Sequence, residues 1–133
     1  MVPTMSNKPT VRDKMISLEK FPVLEHDVTL KKALDIMTKD HIGVACFVDA
    51  SKHLVGVLTD GDLRRLILTK QNPLPALLVS HALDFGNSNP TTVKATELLS
   101  SAREIMDSKR IWDLPVVDDS GELVGLLHRH NVA

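Results

Sequence analysis

The chain contains the same pattern twice, and this repeat constrains its fold more than any other feature. The segment IGVACFVDASKHLVGVLTDGDL (42–63) aligns without a gap on IWDLPVVDDSGELVGLLHRHNV (111–132), at an offset of 69 residues (111 − 42). The same offset holds upstream, where Ile36-Met37 falls on Ile105-Met106. A fixed internal spacing is typical of repeat architectures. The chain is therefore predicted to consist of two related structural units.

The upstream part of each repeat is predicted to be an amphipathic helix. Leu30, Ala33, Leu34 and Met37 recur at i, i+3, i+4 and i+7, the spacing of one helical face. Asp27 or Thr29 can cap the helix by accepting free backbone N–H groups. In the second repeat Arg103 replaces Leu34, so one edge of that helix is expected to be wetter.

The downstream part is predicted to be a hairpin followed by a second helix. The apolar runs Val44–Val48 and Leu54–Leu58 flank a short loop rich in Asp and Ser, a pattern that indicates paired strands. The following helix begins near Asp60 or Asp62 and ends before QNPLP (71–75). Three of its side chains are expected to point inward: Leu63, Leu66 and Ile67.

These elements define an α+β fold of two β-α-β-β-α units. A unit of about 50–60 residues rarely buries a sufficient core alone. The two are therefore expected to pack their sheets together as an intramolecular pseudo-twofold pair. Residues 1–10 are assigned to a tail, 11–72 to the first repeat and 73–133 to the second, whose last helix would be truncated.

Composition excludes several functional classes. A net charge of −1 gives no electrostatic reason to expect nucleic acid or an anionic membrane as a partner. The lone Cys46 excludes an internal disulfide and a cysteine metal cluster, and it is expected to be a small buried hydrophobe. The apolar runs are too short to span a bilayer. A soluble cytoplasmic protein is the simplest expectation.

The stretch VGVLTDGDLRRL (55–66) concentrates groups that recognise nucleotides. Thr59 offers a hydroxyl to phosphate, and Asp62 can accept bonds from a ribose diol. The helix N-terminus and the adjacent Arg64 and Arg65 favour phosphate as well. Nothing nearby supplies a nucleophile or an oxyanion hole, so no catalytic residue is assigned. The alternative is purely structural: Thr59 or Asp60 caps the helix, and Asp62 forms an exposed ion pair with Arg65.

The second repeat departs from this pattern, because His128 replaces the threonine and Asn131 the aspartate. A different ligand or an empty cleft is expected there. Trp112 would stack on a base or fill the cleft, and filling is favoured. This weaker second cleft comprises Trp112, Asp113, His128 and Asn131. His128 and His130 lack a nearby cysteine or carboxylate in sequence, so no metal site is predicted.

The segments FVDASKHLVGVLTDGDL and LPVVDDSGELVGLL resemble a pair of cystathionine-β-synthase (CBS) domains, also called a Bateman module, from about Val11 onward. The resemblance implies two βαββα units joined across their sheets and frequent homodimers. It also implies an adenosyl ligand held through G-h-x-T-x-x-D, with Thr59 at phosphate, Asp62 at ribose, and the base near residues 21–23 and 43–45. The predicted ligand-binding residues are Thr59, Asp62, Gly61, Arg64, Arg65, Val23, Val44 and Ala45.

A narrower resemblance concerns the protein to which such a pair is attached. VRDKM, TDGDLRR and GLLH are similar to the C-terminal CBS pair of bacterial arabinose-5-phosphate isomerases of the sugar-isomerase (SIS) family. Those enzymes serve Kdo and lipopolysaccharide synthesis. The resemblance implies a non-catalytic regulatory module, a catalytic SIS domain as partner, and an AMP-, ADP-, ATP- or CMP-sugar-type ligand with no required cofactor. A TDGDIRR-like stretch also occurs in CBS pairs of sugar nucleotidyltransferases.

Two other functions stay open at this point. One is a structural dimerisation module that binds no ligand and pairs through Leu30, Leu34 and Met37 or through Leu63 and Leu66. The other is a small enzyme in its own right, which is the weakest hypothesis because no catalytic constellation is visible.

Overall fold

A computed structural model describes residues 8–71 and 73–132, so most of the predicted tail lies outside the described residues. The chain divides into two compact units. The first unit is Glu19–Pro90, and the second combines residues 8–18 with 91–132. Each unit has one three-stranded sheet, as the α+β prediction requires. No described helix has the length and apolar character needed to cross a membrane.

The first unit has the sheet order β1-β2-β3, with β1 at Val23–Glu25, β2 at Val44–Val48 and β3 at Leu54–Thr59. Strand β2 lies in the centre, parallel to β1 and antiparallel to β3. The helices of the first unit are α2 (Leu30–Asp40), α3 (Asp60–Thr69) and α4 (Leu74–Leu78), and a 3₁₀ turn follows at Ala82–Phe85. The two hairpin strands are confirmed to within a residue, and both long helices lie where the sequence predicts them, with α3 beginning at Asp60.

The first core is mostly aliphatic, and Phe47 is its largest fully buried side chain. All five side chains of β2 are buried, and α2 covers the sheet with Leu30, Ala33 and Met37. Thr29, rather than Asp27, caps α2 by accepting the Lys32 N–H at 3.2 Å. The inward orientation predicted for Ile67 is wrong, since its side chain is 71% exposed. Helix α3 rests on the core through Leu66, and the next residue turns about 100° away toward solvent.

The second unit repeats this plan with β4 (Val93–Lys94), β5 (Asp113–Val117) and β6 (Leu123–His128). Helix α5 (Leu99–Lys109) covers the sheet, and a 3₁₀ turn at Arg129–Asn131 follows β6. The short helix α1 (Val11–Lys14) also belongs to this unit. Arg103 lies exposed on the edge of α5, as predicted, and its Nε donates to the Val132 carbonyl at 2.9 Å.

The chain crosses over between the units at both ends of the first repeat. Ile16, from the start of repeat 1, exchanges two backbone hydrogen bonds with Leu126 of β6, at 2.7 and 3.0 Å. Asn87, which the sequence assigns to repeat 2, exchanges two backbone hydrogen bonds with Val57 of β3, at 2.8 and 2.9 Å. Each contact covers part of the outer edge of a sheet, where free backbone groups would otherwise face solvent. In the structure, residues 8–18 therefore belong to the second unit and 73–90 to the first. The sequence division at residue 72 had placed 11–18 in the first repeat and 73–90 in the second.

Both hairpin turns are held by an aspartate. Asp49 Oδ1 accepts the backbone N–H groups of Ser51 and His53 at 2.9 and 3.0 Å. The repeat-related Asp118 accepts those of Ser120 and Glu122 at 2.9 and 3.0 Å, and also the Ser120 hydroxyl at 2.7 Å. These donors, led by the Ser120 hydroxyl, hold the pKa of Asp118 below its ordinary value.

Candidate functional site

The first candidate site is the corner where β3 turns into α3, and Thr59 and Asp62 meet there. The Asp62 Oδ2 atom accepts the backbone N–H of Thr59 at 2.9 Å and its hydroxyl at 3.1 Å. The Thr59 Oγ1 atom accepts the Asp62 N–H at 3.2 Å. The pair is a complete capping box, which satisfies two N–H groups at the start of α3. The capping alternative is thus present in the structure, and the same two residues are those assigned to ligand recognition.

Arg65 extends this pair toward solvent. Its Nη2 atom donates to Asp62 Oδ1 at 2.6 Å, so both oxygens of the carboxylate are engaged. The Asp62 side chain is only 16% exposed, whereas that of Arg65 is 63% exposed. Arg64 is exposed, and no described residue pairs with its guanidinium. The corner therefore offers one protected carboxylate and two arginines that face solvent.

The residues predicted to hold a base are less accessible. Val44 and Ala45 are buried, at 1% and 0% exposure, so contact with a ligand would come from their backbone. Val23 is partly exposed. Gly56 allows a close backbone approach, because a Cβ there would lie 2.9 Å from the Asn87 carbonyl oxygen.

A cleft of about 300 Å³ opens beside this corner, within the first unit. Asp60 lies at its edge, and the Asp60 backbone N–H donates to the Gly43 carbonyl at 3.0 Å. A Cβ on Gly43 would collide with the Asp60 carboxylate, so a larger residue there would require the Asp60 side chain to move. The repeat-related position is Trp112. This difference between glycine and tryptophan is the sequence signal that could have pointed to the cleft. The lining residues are Leu34, Met37, Thr38, His41, Ile42, Gly43 and Asp60.

The second candidate site is the repeat-related corner after β6. Asp113 and His128 are paired across β5 and β6, and His128 Nδ1 lies 2.7 Å from Asp113 Oδ1. The prediction that Trp112 fills the cleft is wrong, because its side chain is 61% exposed. Its ring centroid lies 6.4 Å from that of His128 and 6.1 Å from that of His130. Three rings thus form a cluster at this corner, those of Trp112, His128 and His130.

Two residues next to that cluster, Asn131 and Arg129, are already bonded to other parts of the second unit. The side-chain amide of Asn131 donates to the Lys14 carbonyl at 2.8 Å and so joins the corner to α1. The Arg129 guanidinium pairs with the Asp107 carboxylate of α5. Across residues 8–71 and 73–132, no group of three or more His, Cys, Asp or Glu side chains is placed to hold a metal ion.

Comparisons with known proteins agree with this architecture. The family model described as CBS domain matches residues 11–69 and 82–133. The arabinose 5-phosphate isomerase KdsD of Pseudomonas aeruginosa is 32% identical over 126 residues, covering 92% of this chain. The chain spans 36% of that relative's length and about a third of the other curated relatives it matches.

Solved structures show the same fold. A structure of CBSX2 in complex with AMP, a protein of Arabidopsis thaliana, is similar with a TM-score of 0.82 and 27% identity, covering 93% of this chain and 92% of the other. A CBS domain-containing protein from Bacillus anthracis has a TM-score of 0.84 at 20% identity, covering 98% and 94%. The repeat, the two sheets and the matched family model lead to one conclusion: the chain belongs to the CBS domain family, as a tandem pair.

Proposed function

We propose that this CBS pair is a non-catalytic regulatory module that binds a nucleotide at the Thr59–Asp62 corner. The observation that carries the proposal is the pairing of a protected carboxylate with a hydroxyl at a strand-to-helix corner, beside two exposed arginines. The AMP complex of the similar CBSX2 supports an adenine nucleotide as ligand. Ribose would bind at Asp62 and phosphate at Thr59, Gly61 and the arginines.

Binding requires a rearrangement that the corner permits at low cost. A ribose diol needs an oxygen of Asp62, and Oδ1 is engaged by Arg65 at 2.6 Å. Arg65 is mostly exposed, and exposed ion pairs contribute about 0–1 kcal/mol. A ligand can therefore displace the guanidinium from Asp62 and receive it on phosphate, where bidentate bonds are strong. Regulation follows only if the ligand binds two states of the module with different affinities.

The parent protein is proposed to be a cytoplasmic sugar-phosphate isomerase. The similarity to KdsD supports an arabinose-5-phosphate isomerase with a catalytic SIS domain beside this pair. In that setting a CMP-sugar of Kdo and lipopolysaccharide synthesis is the second ligand class. The alternative parent is a sugar nucleotidyltransferase that carries a CBS pair. Preferential binding of a sugar nucleotide other than CMP-Kdo would favour this alternative.

Calorimetry with AMP, ATP and CMP-Kdo tests the proposal. At least one ligand is expected to bind below millimolar concentration, and Asp62→Asn is expected to weaken it at least about tenfold. Asp13→Asn is a matched control, because Thr10 and Asp13 form the same capping box on α1, with Thr10 N at 2.8 Å from Asp13 Oδ2. If no ligand binds, or if both variants lose affinity equally, the proposal fails.

Dimerisation is a second candidate function, with a different surface from the one predicted. Leu30, Met37 and Leu66 are buried in the first unit's own core, so they are unavailable for pairing. The exposed apolar side chains of this unit lie elsewhere: Ile67, Leu68, Leu74 and Val79. Light scattering after size exclusion should give the mass of a dimer for the natural chain and of a monomer for Leu68→Glu. A melting temperature that ignores every nucleotide would favour this function over ligand binding.

A further inference from the structure

In each unit a gap separates the strand-to-helix corner from the end of the helix that covers the sheet, and its backbone walls are alike in the two units. At each corner the first residue after the strand donates its N–H to the residue before the central strand: Asp60 to the Gly43 carbonyl at 3.0 Å, and Arg129 to the Trp112 carbonyl at 2.8 Å. The covering helices α2 and α5 both end in a left-handed residue, with φ of 56° and 55°. The two gaps can therefore be compared side chain by side chain.

In the second unit this gap is bridged by an ion pair. The Arg129 guanidinium reaches from the corner to α5 and pairs with the Asp107 carboxylate. Arg103 of α5 reaches the other way, and its Nε atom donates to the Val132 carbonyl at 2.9 Å. The second unit thus shows an arginine side chain lying across a gap of this geometry and pairing with the helix.

In the first unit the same gap is open. The offset of 69 residues puts Asp60 where the second unit has the bridging arginine, Thr38 where it has the aspartate, and Leu34 where it has the second arginine. All three line the cleft of about 300 Å³ beside the first corner. Neither the Asp60 carboxylate nor the Thr38 hydroxyl has a hydrogen-bond or ion-pair partner among the described residues. The first unit therefore lacks the cation that joins corner and helix in the second.

The open cleft favours a cation with an alkyl stem. Among the described residues that line it, Asp60 is the only acid, no lysine or arginine is present, and His41 is the one titratable base. The cleft also lies at the C-terminal end of α2, where unpaired carbonyls carry partial negative charge. Leu34, Met37 and Ile42 form an apolar wall that an alkyl stem can cover.

The two unpaired acceptors distinguish a guanidinium from an ammonium. A guanidinium presents five N–H donors in a planar fork, whereas an ammonium is a compact point charge. The fork can donate to the Asp60 carboxylate and to the Thr38 hydroxyl at the same time, because these two groups line one cleft from its two sides.

We propose that the cleft of the first unit binds an arginine side chain presented by another polypeptide segment, with the guanidinium bridging the Asp60 carboxylate and the Thr38 hydroxyl. The occupant is inferred from the second unit, where the group that bridges the equivalent gap is an arginine of a polypeptide. The inference goes beyond the proposed function, because its contacts involve neither Asp62 nor a phosphate. It gives the pair a protein-recognition site beside its nucleotide corner.

NMR titration of the ¹⁵N-labelled chain tests this, with N-acetyl-L-arginine methylamide as the probe. The backbone amides of Thr38, His41 and Gly43 are expected to shift, with a dissociation constant of about 1–10 mM, as suits a ligand the size of one side chain. The citrulline derivative has nearly the same shape without the charge, and it is expected to cause no shift at these amides. The lysine derivative should bind at least about threefold more weakly than the probe.

Charge variants give the matched comparison. Asp60→Asn should weaken the probe at least about fivefold, and Thr38→Asp, which copies the acid of the second unit, should strengthen it at least about threefold. Asp27→Asn removes the same charge from an exposed residue of the first unit outside the cleft, so it should change the dissociation constant by less than about twofold. The spectra of the free variants check that each keeps the natural chain's fold.

Asp62→Asn separates this inference from the proposed function. It is expected to weaken AMP and to leave the dissociation constant of the arginine probe within about twofold. Absence of shifts up to about 50 mM probe, equal binding of the citrulline derivative, or an unchanged affinity in Asp60→Asn would each overturn the inference. Free L-arginine that binds about tenfold tighter than the capped probe would overturn the assignment to a polypeptide. AMP binding in a chain that ignores the probe would overturn the inference alone and leave the proposed function standing.

Discussion

Thr59 and Asp62 are joined at the start of α3 by three hydrogen bonds of 2.9, 3.1 and 3.2 Å. One pair of side chains therefore stabilises the helix and presents a carboxylate at the corner. Stability and ligand affinity are thus linked at these positions, and variants must be chosen to separate them.

Replacement of Thr59 is expected to affect stability and binding together. Thr59→Val removes the capping hydroxyl and should lower the free energy of unfolding by about 1 kcal/mol, within the range of N-cap losses. Thr59→Ser keeps the hydroxyl and should retain most of both properties. Urea unfolding and calorimetry on the same samples check this, and a fully stable Thr59→Val would show that the cap contributes nothing.

Replacement of Arg65 is expected to affect only binding. Because its ion pair with Asp62 is mostly exposed, Arg65→Gln should change the free energy of unfolding by less than about 1 kcal/mol. The same variant should weaken the binding of AMP at the first corner and leave the binding of adenosine there unchanged, since the guanidinium is proposed to move to phosphate. Equal losses for AMP and adenosine would contradict that exchange.

Three glycine-to-alanine variants should differ in sign. A Cβ at Gly56 would collide with Leu83 Cδ1 and lie 2.9 Å from the Asn87 carbonyl oxygen, and one at Gly125 would lie 2.6 Å from Met15 Sδ and 3.0 Å from the Ile16 carbonyl oxygen. Both should destabilise their units by about 1–3 kcal/mol. Gly61→Ala is the matched contrast, because its Cβ would make only ordinary contacts inside α3, with Arg65 Nη1 at 3.4 Å and Thr59 Oγ1 at 3.6 Å. It should stabilise by up to about 1 kcal/mol, and thermal unfolding measures all three.

The second hairpin should weaken in acid because of Asp118. Its pKa is held below the ordinary value of 3.8, so its contribution is fully present above that value and is lost as the pH falls through the folded-state pKa. Asp118→Asn is therefore expected to melt below the natural chain at neutral pH, with a gap that closes below pH 3.8. A gap that does not depend on pH would contradict this assignment.

The repeat and its periodicities predicted the secondary structure well, because apolar spacing reports directly which face of a helix or strand is buried. The failures concern tertiary context. Ile67 and Leu66 are adjacent apolar residues, and only the packed sheet decides which of them is covered. The crossing of residues 8–18 and 73–90 rests on backbone bonds such as Ile16 to Leu126, which carry no side-chain signal.

At the candidate sites, sequence spacing located the two corners but not their internal bonding. The T-x-x-D spacing marked Thr59 and Asp62, and it fits a capping box and a ligand site equally well. The pairing of Asp113 with His128 depends on the register of β5 and β6, which is set only when the sheet forms. Exposure of Trp112 was missed because nothing in its local sequence distinguishes a surface indole from a buried one.

The crossed segments limit how the two repeats can be separated. A fragment cut after residue 71 would lose the strand-edge partner that Asn87 supplies to Val57, and the remaining fragment would lose the one that Ile16 supplies to Leu126. Each half would then expose an unpaired strand edge, which invites aggregation. Each repeat therefore depends, for the cover of its own sheet edge, on a segment that the sequence assigns to the other repeat.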